Sequence, residues 1–176
     1  MLSGDHRTFG AIWDRHRNRV YRHLIAAGNR SPEAEDLSAA VFLELWRKRT
    51  AIRFVDGSVL PWLIVTAQNV HRNAARARLR YRVFLEKLPP SPDAPDPATR
   101  VAELGDPALL RLREIVGASR PADARLLAMT AVEGFTVREA AEAVGVTEAT
   151  ARMRIARLRS RLRADLRPFL SIEGGA

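Results

Sequence analysis

Arginines recur between positions 152 and 163 of this sequence, and their spacing suits the recognition of nucleic acid. On an α-helix, Arg152, Met153, Ala156 and Arg157 lie on the face opposite an apolar stripe. A guanidinium can donate two hydrogen bonds to O6 and N7 of guanine, while further arginines hold phosphates. A solvated helix of an ordinary bundle would usually include more acidic residues. The pattern therefore predicts a helix that reads DNA bases, with Arg154 beside the reading face.

The segment before this helix carries the signals of a helix-turn-helix. Thr136 and Glu139 have the spacing of a capping box, which starts a helix. Gly145 can adopt the left-handed conformation that ends it, and Thr147 caps the next helix after a very short turn. These signals place the arginine-rich helix second, where such motifs carry their recognition helix.

A second basic stretch, HRNAARARLRYR, covers residues 71–82 of a helix that Pro61 is predicted to start. Asn69, Arg72 and Arg76 lie roughly opposite the apolar face of this helix. Aromatic side chains among arginines can stack on unpaired bases. Tyr81 lies on the apolar stripe, which favours a place in the core, whereas the pattern leaves Trp62 undecided. A single polar residue in such a position, as Asn69 is, is more often an ordinary surface residue than one that contacts a base.

Helical periodicity and helix-end signals run through the whole sequence, so we expect an all-α protein of two small helical domains. Gly28-Asn29 ends the first helix, and Ser31 is a suitable N-cap for the second. Prolines and acidic residues concentrate in residues 89–107, which predicts a flexible linker. The predicted organisation is a domain at 1–88, the linker at 89–107, a domain at 108–170 and a tail at 171–176, with the two domains moving independently.

Composition narrows the class of function. The net charge is +9, which favours nucleic acid as the partner and, second, an anionic membrane surface. The absence of cysteine excludes disulfides and thiol chemistry. The four histidines are scattered and no acid–nucleophile constellation accompanies them, so we expect no catalytic residue, no metal site and no cofactor. Without a long apolar run or a leader-like start, we expect no membrane insertion and a cytoplasmic location.

From Phe9 to Leu166 the chain resembles an extracytoplasmic-function (group 4) sigma factor of the sigma-70 family. FGAIWDRHRNRVYRHL, EAEDLSAAVFLELWRKR and PWLIVTAQNVHRNAARARLR resemble region 2, and ARLLAMTAVEGFTVREAAEAVGVTEATARMRIARLRSRL resembles region 4. The resemblance implies a protein that binds the β and β′ subunits of the RNA polymerase core and directs it to promoter DNA. It also implies control by an anti-sigma factor that competes with the core enzyme.

The resemblance also assigns roles to residues. It places the −35 base contacts on the predicted reading face. It also makes Asn69 and the loop 52–60 contacts of the −10 element, which favours a base contact for Asn69 over an ordinary surface position. The helix that resembles the β′-binding one has Ala39 and Ala40 where the family usually has glutamine and an acidic residue. The implied sites are, for −35, Arg152, Met153, Ala156, Arg157, Arg154 and Thr147; for −10, Asn69, Arg72, Arg76 and Trp62; and for core polymerase, Asp36, Leu37, Phe42 and Glu44.

The alternative function is a stand-alone helix-turn-helix transcriptional regulator, which would bind duplex DNA tightly by itself, usually as a dimer on two half-sites. A sigma factor usually needs the core enzyme for this. An enzyme is the least supported class, because nothing in the sequence assembles a reactive site.

Overall fold

A computed structural model describes residues 6–85 and 106–170 of the chain. Within these ranges the regular structure is α-helical, which confirms the predicted all-α class, and the only β-type pairing is an isolated bridge between Val55 and Ser58. None of the described helices is long and apolar enough to cross a membrane. The helices are α1 (His6–Ala26), α2 (Ser31–Lys48), α3 (Leu60–Leu85), α4 (Pro107–Ala118), α5 (Pro121–Ala131), α6 (Val137–Val144) and α7 (Glu148–Leu170).

Helices α1, α2 and α3 form an N-terminal bundle around one apolar core. Phe42 lies at its centre, 1% exposed, and its ring meets the rings of Phe9 and Trp13 edge-on at centroid distances of 6.5 and 4.6 Å. Edge-on packing of this kind is a favoured arrangement of aromatic rings. The fully buried aliphatic side chains of this core include Val20, Leu24, Val41, Leu45 and Leu63.

The turn between α1 and α2 differs in one detail from the prediction. Gly28 has a φ of +93°, the left-handed conformation expected after α1. Ser31, however, is the first residue of α2 and Arg30 occupies the cap position without a side-chain hydrogen bond. The Ser31 hydroxyl instead lies 2.9 Å from the hydroxyl of Tyr21. The serine was therefore wrongly predicted as a cap, because a tertiary contact with α1 takes its side chain.

Helix α3 is longer than the bundle that it belongs to. Its first two turns are buried, whereas its last turns extend beyond α1 and α2 into solvent. Tyr81 is 64% exposed there, so its predicted place in the core is wrong. Tyr81 fits the apolar period of α3, but none of the described helices packs against it there.

Helices α4 to α7 form a C-terminal bundle that contains the predicted helix-turn-helix. Thr136 and Glu139 make both hydrogen bonds of a capping box at the start of α6. Gly145 ends α6 with a φ of +79°, and the Thr147 hydroxyl accepts a hydrogen bond from the Thr150 amide at the start of α7. All three signals of the motif are confirmed. In α4 the fully buried residue is Ile115.

The two bundles pack against each other in this structure, which the expectation of independent movement did not include. Ile64 of α3 is fully buried in one cluster with Leu126 and Met129 of α5 and Ala140 of α6. Most of the predicted linker, residues 89–105, lies outside the described residues. Its predicted last residue, Pro107, already belongs to α4, and Asp106 caps that helix by accepting a hydrogen bond from the Ala108 amide at 2.9 Å.

Candidate nucleic-acid interface

The outer face of α7 is open to solvent and carries the predicted base-reading residues together. The side chain of Arg152 is 70% exposed and forms an ion pair with Glu148, one turn earlier on the same helix. Met153 is 56% exposed, and Ala156 and Arg157 are exposed beside it. On the opposite face, Ala151, Ile155 and Leu158 are buried against the rest of the C-terminal bundle. The face could therefore enter a major groove without any rearrangement of this bundle.

Two further residues predicted for this site have other roles in the structure. Arg154 turns away from the open face towards α5, where its guanidinium lies 3.6 Å from the carboxylate of Asp123. Leu158 follows Arg154 by four positions, so the two side chains lie on the same, inward face of the helix. Thr147 uses its hydroxyl to cap α7. The half-buried Arg154 therefore lies beside Asp123 and away from the open face, which does not favour its predicted contact with DNA.

On α3, Asn69, Arg72 and Arg76 lie together along a groove of about 570 Å³. The structure therefore brings together three of the four residues predicted for −10 contacts. The groove runs between α2 and α3 and is closed at one side by Arg125 of α5, whose guanidinium donates a hydrogen bond to Oδ1 of Asn69. Asn69 is thus engaged by the other bundle and is not plain surface.

Like charges are crowded around this groove. Burial lowers the pKa of Arg72, and the neighbouring cations Arg125 and Arg76 lower it further. Burial also lowers the pKa of Arg125. Guanidiniums remain charged under such shifts, so the electrostatic repulsion stays in the structure. A groove of this charge attracts an anion, and a phosphate backbone would relieve the repulsion.

The loop between α2 and α3, which the family resemblance makes a contact of the −10 element, has a tight turn at its tip. Asp56 and Gly57 have φ values of +50° and +73°, and the bridge between Val55 and Ser58 closes the turn. This turn holds the Asp56 carboxylate outward, where Arg138 of α6 binds it with both terminal nitrogens, one of them at 3.0 Å. The paired carboxylate raises the pKa of Arg138. The loop is therefore also in contact with the C-terminal bundle.

Trp62 lies outside the groove. Its half-buried ring packs against the core of the N-terminal bundle. This position favours a packing role for Trp62, because one side of the ring is occupied by core residues.

The predicted core-polymerase residues lie along α2. Asp36 is exposed, Leu37 is half-buried, and Glu44 pairs with Lys48 at 3.2 Å. Phe42 is buried at the centre of the bundle, so the prediction that it contacts a partner is wrong. The exposed apolar side chain is that of Leu43, one residue further along, at 57% exposure.

Three functional features of the bundle–bundle contact have no local sequence signal. The Glu133 carboxylate, 8% exposed, accepts hydrogen bonds from Arg19 Nε at 3.1 Å and from His23 Nδ1 at 2.6 Å. Ile64 is buried against α5 and α6. The side-chain amide of Gln68, one turn after Ile64 on α3, is buried without a hydrogen-bond partner. Pairs separated by more than 50 residues cannot be found from helical periodicity.

Comparison with known proteins gives one consistent result. The model of the family Sigma-70 region 2 matches residues 12–81, and that of Sigma-70, region 4 matches residues 120–162. The RNA polymerase sigma factor CarQ of Myxococcus xanthus is 30% identical over 91% of this chain and 90% of its own length. The ECF RNA polymerase sigma factor SigM of Mycobacterium tuberculosis is 27% identical over 92% of this chain and 78% of its own.

Solved structures that share the fold include the following two. The sigma factor RpoE of Bartonella quintana, solved with the anti-sigma factor NepR, matches with a TM-score of 0.58 and 19% identity over 92% of this chain and 98% of its own. CnrH, solved with the cytosolic domain of CnrY, matches with a TM-score of 0.58 and 21% identity over 93% and 90% of the two chains.

Proposed function

We propose that this chain, which belongs to the extracytoplasmic-function group of the sigma-70 family of RNA polymerase sigma factors, reads the −35 element with α7 and the −10 element with α3 and the loop before it. As a sigma factor it directs RNA polymerase to promoters. The observation that carries the finer assignment is the open arginine face of α7, on a helix-turn-helix with every turn signal in place.

For the −35 element, Arg152 and Arg157 are the proposed base readers, since a guanidinium can bond both acceptors of guanine. Met153 and Ala156 lie between them and supply apolar contact to thymine methyl groups. Arg163, exposed on the same helix beyond the reading face, contacts phosphate. The bond from Thr147 to the Thr150 amide supports a capping role, which leaves the hydroxyl a minor part in DNA contact.

For the −10 element, the proposed contacts are Asn69, Arg72 and Arg76, with the loop 52–60 beside them. The amide of Asn69 can pair with the edge of an unpaired base, and the two guanidiniums bind the phosphates on either side. Trp62 is left out of this set because its ring packs into the core.

For the polymerase core, the proposed surface is the outer side of α2, with Asp36, Leu37, Leu43 and Glu44. Leu43 takes the place first given to Phe42, because an exposed leucine can be buried by a partner and a core phenylalanine cannot. Ala39 and Ala40 leave this surface without two polar groups, so its apolar part carries more of the affinity.

The proposed domain organisation is region 2 at 1–88, a linker at 89–107 and region 4 at 108–170. We propose a cytoplasmic protein that has no catalytic activity of its own. We also propose an anti-sigma factor as a partner, since the similar sigma factor RpoE was solved with the anti-sigma factor NepR. Pull-down with the chain as bait, with and without excess core enzyme, should recover a protein that the core displaces. If only polymerase subunits are recovered, this partner is not present.

The experiment that tests the promoter assignment uses purified chain and purified core polymerase with a library of genomic promoter fragments. The chain with core should retain a small set of fragments and start transcription from them, whereas the chain alone should retain few. Tight retention of duplex DNA by the chain alone, without help from the core, would instead support a stand-alone regulator.

A further inference from the structure

We propose that contact between the two bundles is an autoinhibitory latch, in which the C-terminal bundle occupies Asn69 and the adjoining loop of the −10 surface and leaves the −35 face of α7 open. The inference depends on the proposed −10 role of α3. It concerns the chain by itself, before any partner binds. The structure offers three kinds of contact across this interface: apolar, charged and hydrogen-bonded.

The apolar contact is centred on Ile64. This side chain is fully buried, and its neighbours in the cluster belong to α5, α6 and α7, including Leu126, Met129 and Ile155. Leu60 and Val65 pack against the same cluster from α3. A side chain that belongs to α3 in sequence therefore completes the core of the other bundle. Separation of the bundles would expose this apolar surface to water.

The charged contact is centred on Glu133, at the turn that follows α5. Its carboxylate binds Arg19 and His23 of α1, and Arg19 also donates to the Glu133 backbone carbonyl. Burial raises the pKa of Glu133, but the hydrogen bonds and charges of His23 and Arg19 outweigh burial, so the pKa lies below its ordinary value. The guanidinium of Arg19 also lies 5.6 Å from the centre of the Phe135 ring.

The hydrogen-bonded contact reaches the −10 surface itself. Arg125 binds Asn69, and Arg138 binds Asp56 in the adjoining loop. While Arg125 binds Asn69 Oδ1, its guanidinium competes with a base for this acceptor. Arg138 also stands in the first turn of α6, the helix that crosses the DNA backbone in a helix-turn-helix. By contrast, Arg152, Met153 and Arg157 face solvent in the same conformation.

The latch also contains two unfavourable elements, which make it releasable. The Gln68 amide is buried without a partner on the face of α3 that carries Ile64. A buried polar group without a hydrogen bond raises the free energy of the state that buries it. Arg72 and Arg125 repel each other across the interface. The closed state is therefore held by Ile64 and Glu133 and opposed by Gln68 and the arginines.

The first test measures the distance between the bundles. The chain has no cysteine, so Ala11→Cys on α1 and Ser160→Cys on α7 provide two unique, exposed sites for spin labels. In full-length protein, Glu133→Lys should lengthen the label distance, because a cation would face Arg19. Glu114→Lys, on exposed α4, is the matched control with the same change of charge and should leave the distance unchanged. Gln68→Leu should sharpen the closed distribution.

The second test measures binding of single-stranded DNA, using a −10 probe selected from a random pool by the chain in complex with core polymerase. We expect Glu133→Lys to bind the probe about fivefold or more tighter than Glu114→Lys, since opening removes the competing contact. Asn69→Ala in the Glu133→Lys background should abolish this gain. Circular dichroism checks that each variant is folded, and Glu133→Gln replaces Glu133→Lys if the lysine prevents folding.

The outcomes separate the latch from the proposed function. A wild-type label distance as long as that of Glu133→Lys would overturn the latch and leave the −10 assignment intact. An equal gain in DNA affinity for Glu133→Lys and Glu114→Lys would overturn the masking, because net charge alone would explain it. If Asn69→Ala does not change probe binding in the open variant, the −10 role of Asn69 is wrong, and label distances still decide whether the bundles close.

Discussion

Helices α7 and α3 both carry arginines that we propose to contact DNA, yet the structure leaves one set open and places the other beside the C-terminal bundle. The arginines of α7 lie on an open face, and Ile155 and Leu158 on the other side are buried within its own bundle. Helix α3 buries Leu63 in its own bundle and Ile64 in the other, and this brings Asn69 within reach of Arg125 of the C-terminal bundle. Helix α7 has one apolar face, so its polar face stays open to solvent. Helix α3 has two apolar faces, so part of its polar surface contacts the other bundle.

The strongest way to break this comparison is to remove the second apolar face of α3. Ile64→Ala should lower the free energy of unfolding by about 2–5 kcal/mol if the bundles unfold together, the usual cost for a fully buried isoleucine. Ile115→Ala, buried between α4 and α7, should cost a similar amount. Only Ile64→Ala should also lengthen the spin-label distance between the bundles.

Urea denaturation followed by circular dichroism measures the first quantity and pulsed spin-label spectroscopy the second. If Ile64→Ala costs much less than Ile115→Ala and leaves the distance unchanged, the burial of Ile64 does not hold the bundles together. The two faces of α3 would then not explain why it differs from α7.

The second prediction sharpens the assignment of the open face. Arg152→Ala and Arg157→Ala should each reduce discrimination between matched and scrambled −35 duplexes by about 1–3 kcal/mol, the value of a bidentate base contact. Arg163→Ala should weaken binding to both duplexes alike. Binding is measured with the chain in complex with core polymerase. Equal losses on both duplexes for all three variants would mean that α7 holds the backbone without reading bases.

The smallest effect is expected from a change of pH, and it should act on the N-terminal bundle alone. Burial lowers the pKa of His71 from its ordinary value of 6.5, and the charges of His23 and Arg72 lower it further. Burial and nearby Arg15 and Arg19 also lower the pKa of His16. Groups with a lowered folded-state pKa contribute stability above the ordinary value and lose it as the pH falls through the lowered one.

Acidification from about pH 7.5 to about pH 5.5 should therefore lower the unfolding midpoint of the N-terminal bundle, since the ordinary histidine value lies between these limits. Residues 106–170 contain no histidine, so −35 binding by α7 should change little. The double variant His16→Gln, His71→Gln should lose most of the pH dependence. An unchanged dependence in that variant would assign the effect to other groups.

The same comparison explains how much could be predicted from sequence. The helix-turn-helix was predictable because its signals are local: a capping box of four residues, one left-handed glycine and one cap. On α3, by contrast, the decisive partners of Ile64 and Asn69 lie 56 or more residues away. Nothing in the spacing of α3 distinguishes a polar face that meets solvent from one that meets another bundle.

Smaller errors have geometrical causes. Phe42 and Leu43 differ by one residue, which is 100° on a helix, so one is in the core and the other in solvent. Tyr81 fits the apolar period of α3 but lies beyond the end of its bundle. Arg154 fits the basic character of α7, and only the position of Asp123 on α5 shows that it turns inward.

The pairing of Arg138 with Asp56 has a consequence for the response of the molecule to ionic strength. Both side chains are exposed, so added salt screens their attraction and favours separation of the bundles. Salt also weakens the attraction of arginine for phosphate, because DNA then regains less from the release of its condensed cations. These two effects oppose each other. From this pair alone, we expect DNA binding by the latched chain to depend less steeply on salt concentration than the number of its phosphate contacts implies.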